Sequence, residues 1–208
     1  TTEIYTLSLH DALPICEFVL KNFDSFQKIL GNMQTGVERI NSIVNGLSHF
    51  TSQNNKSTES CDIHLVLDNC LSILESQYKY KANIVQQYCP GKYTVIGNEA
   101  KLHQAFLNII LNSIQAIEEN GEIKITTELE QENLIITVKD NGKGMSAEIL
   151  DKIFDPFFTT RDVGKGTGLG LSIAYGIIYE HNGVLQYISD VDKGTTAIII
   201  LPAKNEEI

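Results

Sequence analysis

The chain has 208 residues, 42% of them hydrophobic and 20% charged, enough for one well-buried domain plus a helical appendage. Its 16 basic and 26 acidic residues leave a net charge of −10, which argues against a nucleic-acid-binding surface. An anionic ligand would have to be held by local donors against that overall field. Cys16, Cys61, Cys70 and Cys89 form no CxxC pair and no metal-like spacing with the five histidines, and read as reduced thiols of a cytoplasmic protein. No apolar stretch reaches the length of a membrane span, so any membrane attachment is expected to come from segments outside this sequence.

Residues 1–15 (TTEIYTLSLHDALPI) lack the charged-then-apolar build of a signal peptide, resemble translated sequencing adaptor, and read as a non-native or disordered segment. Val19, Phe23, Phe26 and Leu30 then fall at 4-3-4 spacing. Met33, Val37, Ile40, Val44 and Leu47 continue in alternating fours and threes, with Ile43 and Phe50 beside them. Such tandem seams predict a helical hairpin over 16–52 that pairs with itself or with a second copy, Gly31-Asn32 marking its turn. The polar run 53–60 has no apolar periodicity and reads as a linker.

From 61 to 203 strands and helices alternate, leaving 204–208 as a tail. The pattern predicts a short strand at 62–65, then a helix at 66–80 with Leu67, Leu71 and Leu74 inward. Strands follow at 84–88 and 93–96, separated by Pro90-Gly91. Asn98 is placed to cap a helix running to about Glu119, where Asn120-Gly121 stops it. A hairpin at 122–130 and 134–139, a short helix at 146–153, a glycine-rich loop, a helix at 169–181 and strands at 184–189 and 196–201 complete the domain. Strands outnumber crossovers, so a mixed sheet with helices on one face is expected: an α+β two-layer sandwich.

The helix after Asn98 is apolar nearly all round, except for Gln104, Asn108, Asn112 and Gln115, which share one narrow stripe. Amides in apolar surroundings need partners, because an unsatisfied polar group costs roughly 1–3 kcal/mol. Further on, Asp140-Asn141-Gly142-Lys143-Gly144-Met145 ends a strand with a carboxylate that can accept from an exocyclic amine, beside glycines that admit a flat ring. Phe154-Asp155-Pro156-Phe157-Phe158-Thr159-Thr160 follows. Then Gly164-Lys165-Gly166-Thr167-Gly168-Leu169-Gly170-Leu171 runs into a helix whose first N–H groups can cradle phosphates. Neither Gly-Lys pair is followed by Ser or Thr, so no Walker sequence is present.

In this order and spacing the four elements resemble the N, G1, F and G2 boxes of the sensor histidine kinase catalytic domain, in the GHKL ATPase superfamily, and FDPFFTT…GTGLGLSI is the most specific wording. The resemblance covers Thr58 to Pro202, Gly194-Thr195-Thr196 included, and extends into the helix 33–50. It implies the Bergerat-type fold, ATP and Mg2+ as ligands, homodimerisation through the hairpin, and a response-regulator receiver domain as partner. Residue by residue, it implies that Asn112 coordinates the metal, that Asn108 faces the phosphates and that Asp140 accepts the adenine amine in a pocket shaped by Gly142 and Gly144. Phe154, Phe157 and Phe158 would anchor a lid whose mobile part is 159–166. Gly166, Gly168 and Gly170 would close over the triphosphate above Leu169, and Gln115, Thr159, Thr160, Lys165, Thr167 and Thr195 join the ATP-binding set.

The family's phosphoacceptor is a histidine followed by an acidic residue and, five positions after the histidine, a proline. His10-Asp11-Ala12-Leu13-Pro14 imitates this with the proline one position early, so His10 is the candidate acceptor, Asp11 its partner, and poor autophosphorylation of this chain is expected. His49 and His103 read as surface residues, His64 as a strand residue and His181 as a cation at a helix end. The expected reaction is transfer of the γ-phosphoryl of ATP to histidine and thence to a response-regulator aspartate. The alternatives are another GHKL ATPase or serine kinase, and a non-catalytic ATP-binding dimerisation module without an acceptor.

Overall fold

Asp62 decides where the first long helix starts. Its carboxylate accepts from the N–H groups of His64 and Leu65 at 3.0 and 3.2 Å, so it caps a helix instead of continuing a strand. Helix α1 is therefore Ile63–Tyr78, and strand β1, Glu59–Asp62, lies just before it. This corrects the strand expected at 62–65, puts His64 in a helix, and shows that Glu59 and Ser60 of the expected linker are strand residues. The computed structural model describes residues 23, 25–27, 29–31, 33, 36, 59–162 and 166–205.

The chain divides into two compact units, Thr1–Asn45 and Gly46–Ile208. In the first, every described residue from Phe23 to Gly36 is helical, Gly31 and Met33 included, whereas Asn32, the other residue of the expected turn, lies outside the described residues. One glycine inside a helix costs only about 1 kcal/mol against alanine. Phe23, Phe26, Leu30 and Met33 are at least half exposed along this helix. The rest of the expected hairpin lies outside the described residues. Among the described residues no helix is long and apolar enough to cross a membrane.

In the second unit, β2 (Ala82–Gln87) and β3 (Tyr93–Gly97) lead to α2 (Glu99–Ala116). Asn98 caps it by accepting from the Lys101 N–H at 3.0 Å. Next come β4 (Gly121–Glu130), β5 (Asn133–Asp140), the single turn α3 (Ala147–Leu150), α4 (Gly170–Glu180), β6 (Val184–Asp190) and β7 (Gly194–Pro202). A last strand, β8 (Lys204–Asn205), pairs with Tyr93 and Thr94, so two residues of the expected tail belong to a small antiparallel sheet ordered β1-β3-β8.

The main sheet has the order β2-β4-β5-β7-β6; β2 runs parallel to β4 and the other pairs are antiparallel. Period-two alternation sends Ile123, Ile125, Leu134, Ile136, Val138, Ala197, Ile199 and Leu201 to one buried face. Against it pack the apolar arc of α2 (Leu102, Ala105, Phe106, Ile109, Ile110, Ile114) and of α4 (Ile173, Ala174, Ile177, Ile178). Full burial of a side chain such as Phe106 is worth about 1.5–3 kcal/mol. The result is the two-layer α+β sandwich with a mixed sheet, and it leaves the amide stripe of α2 beside the start of α4.

His181 closes this arrangement. It is 7% exposed; its Nδ1 meets the Ile177 carbonyl at 2.7 Å and its Nε2 accepts from the Asn98 N–H at 3.0 Å. With Nε2 accepting, Nδ1 is the nitrogen that donates to the Ile177 carbonyl. His181 thus stands at the helix end expected of it, and its Nε2 serves the cap of a helix remote in sequence.

Candidate functional site

Helix α2 presents two of its amides together. Asn112 donates through Nδ2 to the Asn108 carbonyl one turn back at 2.9 Å, which turns Oδ1 the other way. That oxygen accepts from Nη2 of Arg161 at 3.1 Å. A Cβ built on Gly170, the first residue of α4, would stand 3.6 Å from Asn108 Oδ1 and 3.8 Å from Asn112 Nδ2, so α4 begins against both amides. Helix α4 has no side-chain cap, and its leading N–H groups lack intrahelical acceptors. Gln115, though on the same stripe, is exposed.

The adjacent residue, Ser113, reaches the other end of the site. Asp140, 2% exposed at the end of β5, takes hydrogen bonds on Oδ1 from the Gly142 N–H (2.9 Å) and the Thr195 N–H (3.2 Å), and its carboxyl also bonds the Ser113 side chain. Burial pushes its pKa above the ordinary carboxylate value, against the opposing pull of these three bonds. Ser189 on β6 accepts from the Met145 N–H and meets the Thr195 hydroxyl, both at 2.9 Å, tying the loop after Asp140 to the sheet edge. Gly144 has φ +63°, and a Cβ there would collide with the Asp190 carbonyl, so only glycine fits this crossing.

The aromatic and glycine-rich segments join through their backbones. The Phe157 N–H donates to the Gly168 carbonyl at 2.9 Å. Gly168 has φ +67°, and a Cβ on it would lie 2.3 Å from the Phe157 carbonyl carbon. Phe154 packs on Tyr175 of α4 and edge-on to Tyr187 of β6, at centroid distances of 4.7 and 5.8 Å. The Phe157 side chain is 58% exposed, so this residue anchors by its main chain, a correction to the expected three-ring anchor. Phe158 is half-buried, and its N–H donates to Asp155. Thr159 Oγ1 accepts from the Arg161 N–H at 3.2 Å, and Gly166 lies against Thr159 and the Arg161 stem. Thr160 is exposed, Thr167 Oγ1 accepts from the Leu169 N–H at 3.4 Å, and Leu169 is buried beneath the loop.

Residues 97–205 match the family described as histidine kinase-, DNA gyrase B-, and HSP90-like ATPase. The chain belongs to this family. It is 32% identical over 198 residues to sensor kinase CckA of Brucella abortus (strain 2308), covering 88% of this chain and 21% of that protein. It therefore spans about a fifth of that relative's length. The catalytic domain of histidine kinase ThkA superposes with a TM-score of 0.63 at 30% identity, over 70% of this chain and 97% of that one. ThkA in complex with response regulator protein TrrA has a TM-score of 0.71 at 24% identity, over 88% and 53% of the two chains.

This histidine kinase catalytic domain thus carries the paired amides of α2, the buried Asp140 carboxylate and the backbone-joined aromatic and glycine-rich segments. Three expected site residues, His10, Asp11 and Lys165, lie outside the described residues. Two contacts escaped the sequence reading. Ser113 follows Asn112 directly, and its bond to Asp140 is the signal that one helix turn serves both ends of the site. Arg161, just after the Thr159-Thr160 pair, is a cation inside a segment otherwise rich in small polar residues. Burial lowers its pKa from the ordinary guanidinium value.

Proposed function

We propose that this chain binds Mg-ATP and is the kinase end of a phosphorelay, delivering the γ-phosphoryl to a histidine from which a response-regulator aspartate takes it. The observation that carries the reading is the pair Asn112-Ser113: consecutive residues of α2 join a carboxylate suited to the adenine amine to an amide oxygen already facing a positive charge. Asp140 would accept from the exocyclic amine through the oxygen that the two backbone donors leave available. The uncapped start of α4 and the neighbouring loop N–H groups would hold the phosphates.

Asn112 Oδ1 fits Mg2+, a hard cation that prefers neutral or anionic oxygen donors. When bound there, the ion would neutralise developing charge on the transferred phosphoryl. The protein's own part is positioning. Asp140 fixes the base, the backbone joint Phe157–Gly168 holds the flank of the loop, and buried Leu169 gives that loop a floor. The acceptor would be a histidine, and His10, the candidate this chain offers, lies outside the described residues. The half-exposed seam Phe23, Phe26, Leu30 and Met33 supports pairing with a second copy. The ThkA complex supports a receiver domain as partner, in the cytoplasm where ATP is available.

Calorimetry of ATP binding with and without Mg2+, followed by incubation with γ-labelled ATP, tests the reading. Metal-dependent binding is expected, and any label transferred to protein should be acid-labile and base-stable. Acid-stable label on serine, or steady ATP hydrolysis with no phosphohistidine, would overturn the histidine assignment while leaving the nucleotide site intact.

A further inference from the structure

Tyr187 leaves β6 on the buried face of the sheet. Cross-strand register sets it opposite Ala197 of β7, a side chain small enough to leave room for a phenol ring. Two residues along the same face, Ser189 stands opposite Thr195, and Thr195 stands opposite Asp140. The ring meets Phe154 edge-on at 5.8 Å. Tyr187 as a whole is half-buried, yet its hydroxyl is closed off and has no hydrogen-bond partner among the described residues. Burial first, then the neighbouring charge of Asp140, keeps the phenol protonated well beyond its ordinary range, so the oxygen carries a proton to donate.

An unpaired buried hydroxyl opposes folding, and phenylalanine would fill the same space without that cost. The group is therefore poised for a partner that the protein itself does not supply. A purine whose amine sits on Asp140 offers such partners, because the two ring nitrogens flanking that amine, N1 and N7, are both acceptors. We propose that the Tyr187 hydroxyl is a base-selecting group of the nucleotide site, uncovered as the base enters and then donating to one of those ring nitrogens. The inference rests on the ATP-binding reading above and adds a residue to it. Tyr187 selects by hydrogen bonding, a stronger discriminator than apolar shape, because rejecting a base strands a buried polar group.

The experiment compares the full chain with Tyr187→Phe, by calorimetry against ATP, 7-deaza-ATP and 1-deaza-ATP, and by thermal unfolding of each protein without nucleotide. Tyr187→Phe is expected to bind ATP roughly five- to tenfold more weakly. Its melting temperature should be equal to or above that of the wild type. One deaza analogue should bind the wild type correspondingly weakly and show no further loss in the variant. Equal ATP affinity in the two proteins, or the same loss for ATP and both analogues, would overturn this inference alone. Failure of the wild-type chain to bind ATP at all would overturn the nucleotide reading and this one with it.

Discussion

At the base end of the site, Asp140 is buried and receives three hydrogen bonds, two of them from backbone N–H groups fixed by the sheet and its adjoining loop. At the end proposed for the phosphates, Asn112 is half-buried, and its outward oxygen is held by one 3.1 Å bond from the Arg161 side chain. One end is built into the core and cannot relax without disturbing strands. The other rests on a long side chain whose contact exchanges readily. Under the proposed function the difference teaches that base recognition would be preorganised, whereas cation and phosphate binding would rely on groups free to rearrange around the ligand.

The sharpest way to break the comparison is at the exchangeable end. Asn112→Ala is expected to abolish the Mg2+-dependent part of ATP affinity and leave the metal-free part in place, read by calorimetry with and without the ion. Unchanged Mg2+ dependence would remove Asn112 from the metal's surroundings.

At the fixed end, Asp140→Asn should weaken ATP about tenfold or more, since a hydrogen bond to a charged acceptor is worth roughly 1.5–3 kcal/mol. Folding should suffer little, because asparagine Oδ1 can keep both backbone donors that now use Asp140 Oδ1 and only the second position becomes a donor. The pH dependence has a definite sign. With its folded pKa raised, Asp140 contributes stability that is fully present below the unfolded carboxyl pKa and is lost as pH rises through the folded value. ATP affinity runs the opposite way, falling as acid protonates the acceptor. Denaturant titrations of wild type and Asp140→Asn across the acid range should show this stability slope only in the wild type.

The residues behind these two predictions differ in how far the sequence exposes them. The Asn98 cap, the amide stripe of α2 and the β4–β5 hairpin depend on neighbours within a turn or two, and periodicity reveals them. The contacts made by Arg161 with Asn112 and by His181 with Asn98 cross 49 and 83 positions, beyond the reach of any local pattern. Local pattern also misled at Asp62, where the apolar residues of Ile63-His64-Leu65-Val66 imitate a strand although the carboxylate caps a helix. Two-residue β8 has no periodicity to read and forms only because β3 is there to pair with it.

A smaller effect is expected where the aromatic and glycine-rich segments are joined. Gly168→Ala forces a Cβ into the Phe157 backbone at a left-handed φ and should cost about 1–3 kcal/mol of local strain. Hydrogen exchange at the Phe157 amide should accelerate while that of the β5 amides stays unchanged, and equal acceleration of both would mean that the loop and the sheet open as one unit. The smallest effect belongs to Arg161→Ala. Its guanidinium partly fills the role of a cation at Asn112, so its loss should widen the ratio of ATP affinities with and without Mg2+ by a few-fold, in line with one hydrogen bond of about 1 kcal/mol. A narrower ratio would mean that Arg161 serves the metal-bound nucleotide instead.

The imidazole of His181 has a consequence for observing this molecule at work. Its two nitrogens are chemically distinct, a protonated Nδ1 on the Ile177 carbonyl at the end of α4 and a bare Nε2 receiving the Asn98 amide at the start of α2. Any slippage between the helix that begins at the phosphate loop and the helix that carries the amides takes the Asn98 proton away from Nε2 and opens the ring to water. Nitrogen-15 resonances of this one side chain therefore form a built-in gauge of whether the two helices stay in register as nucleotide comes and goes.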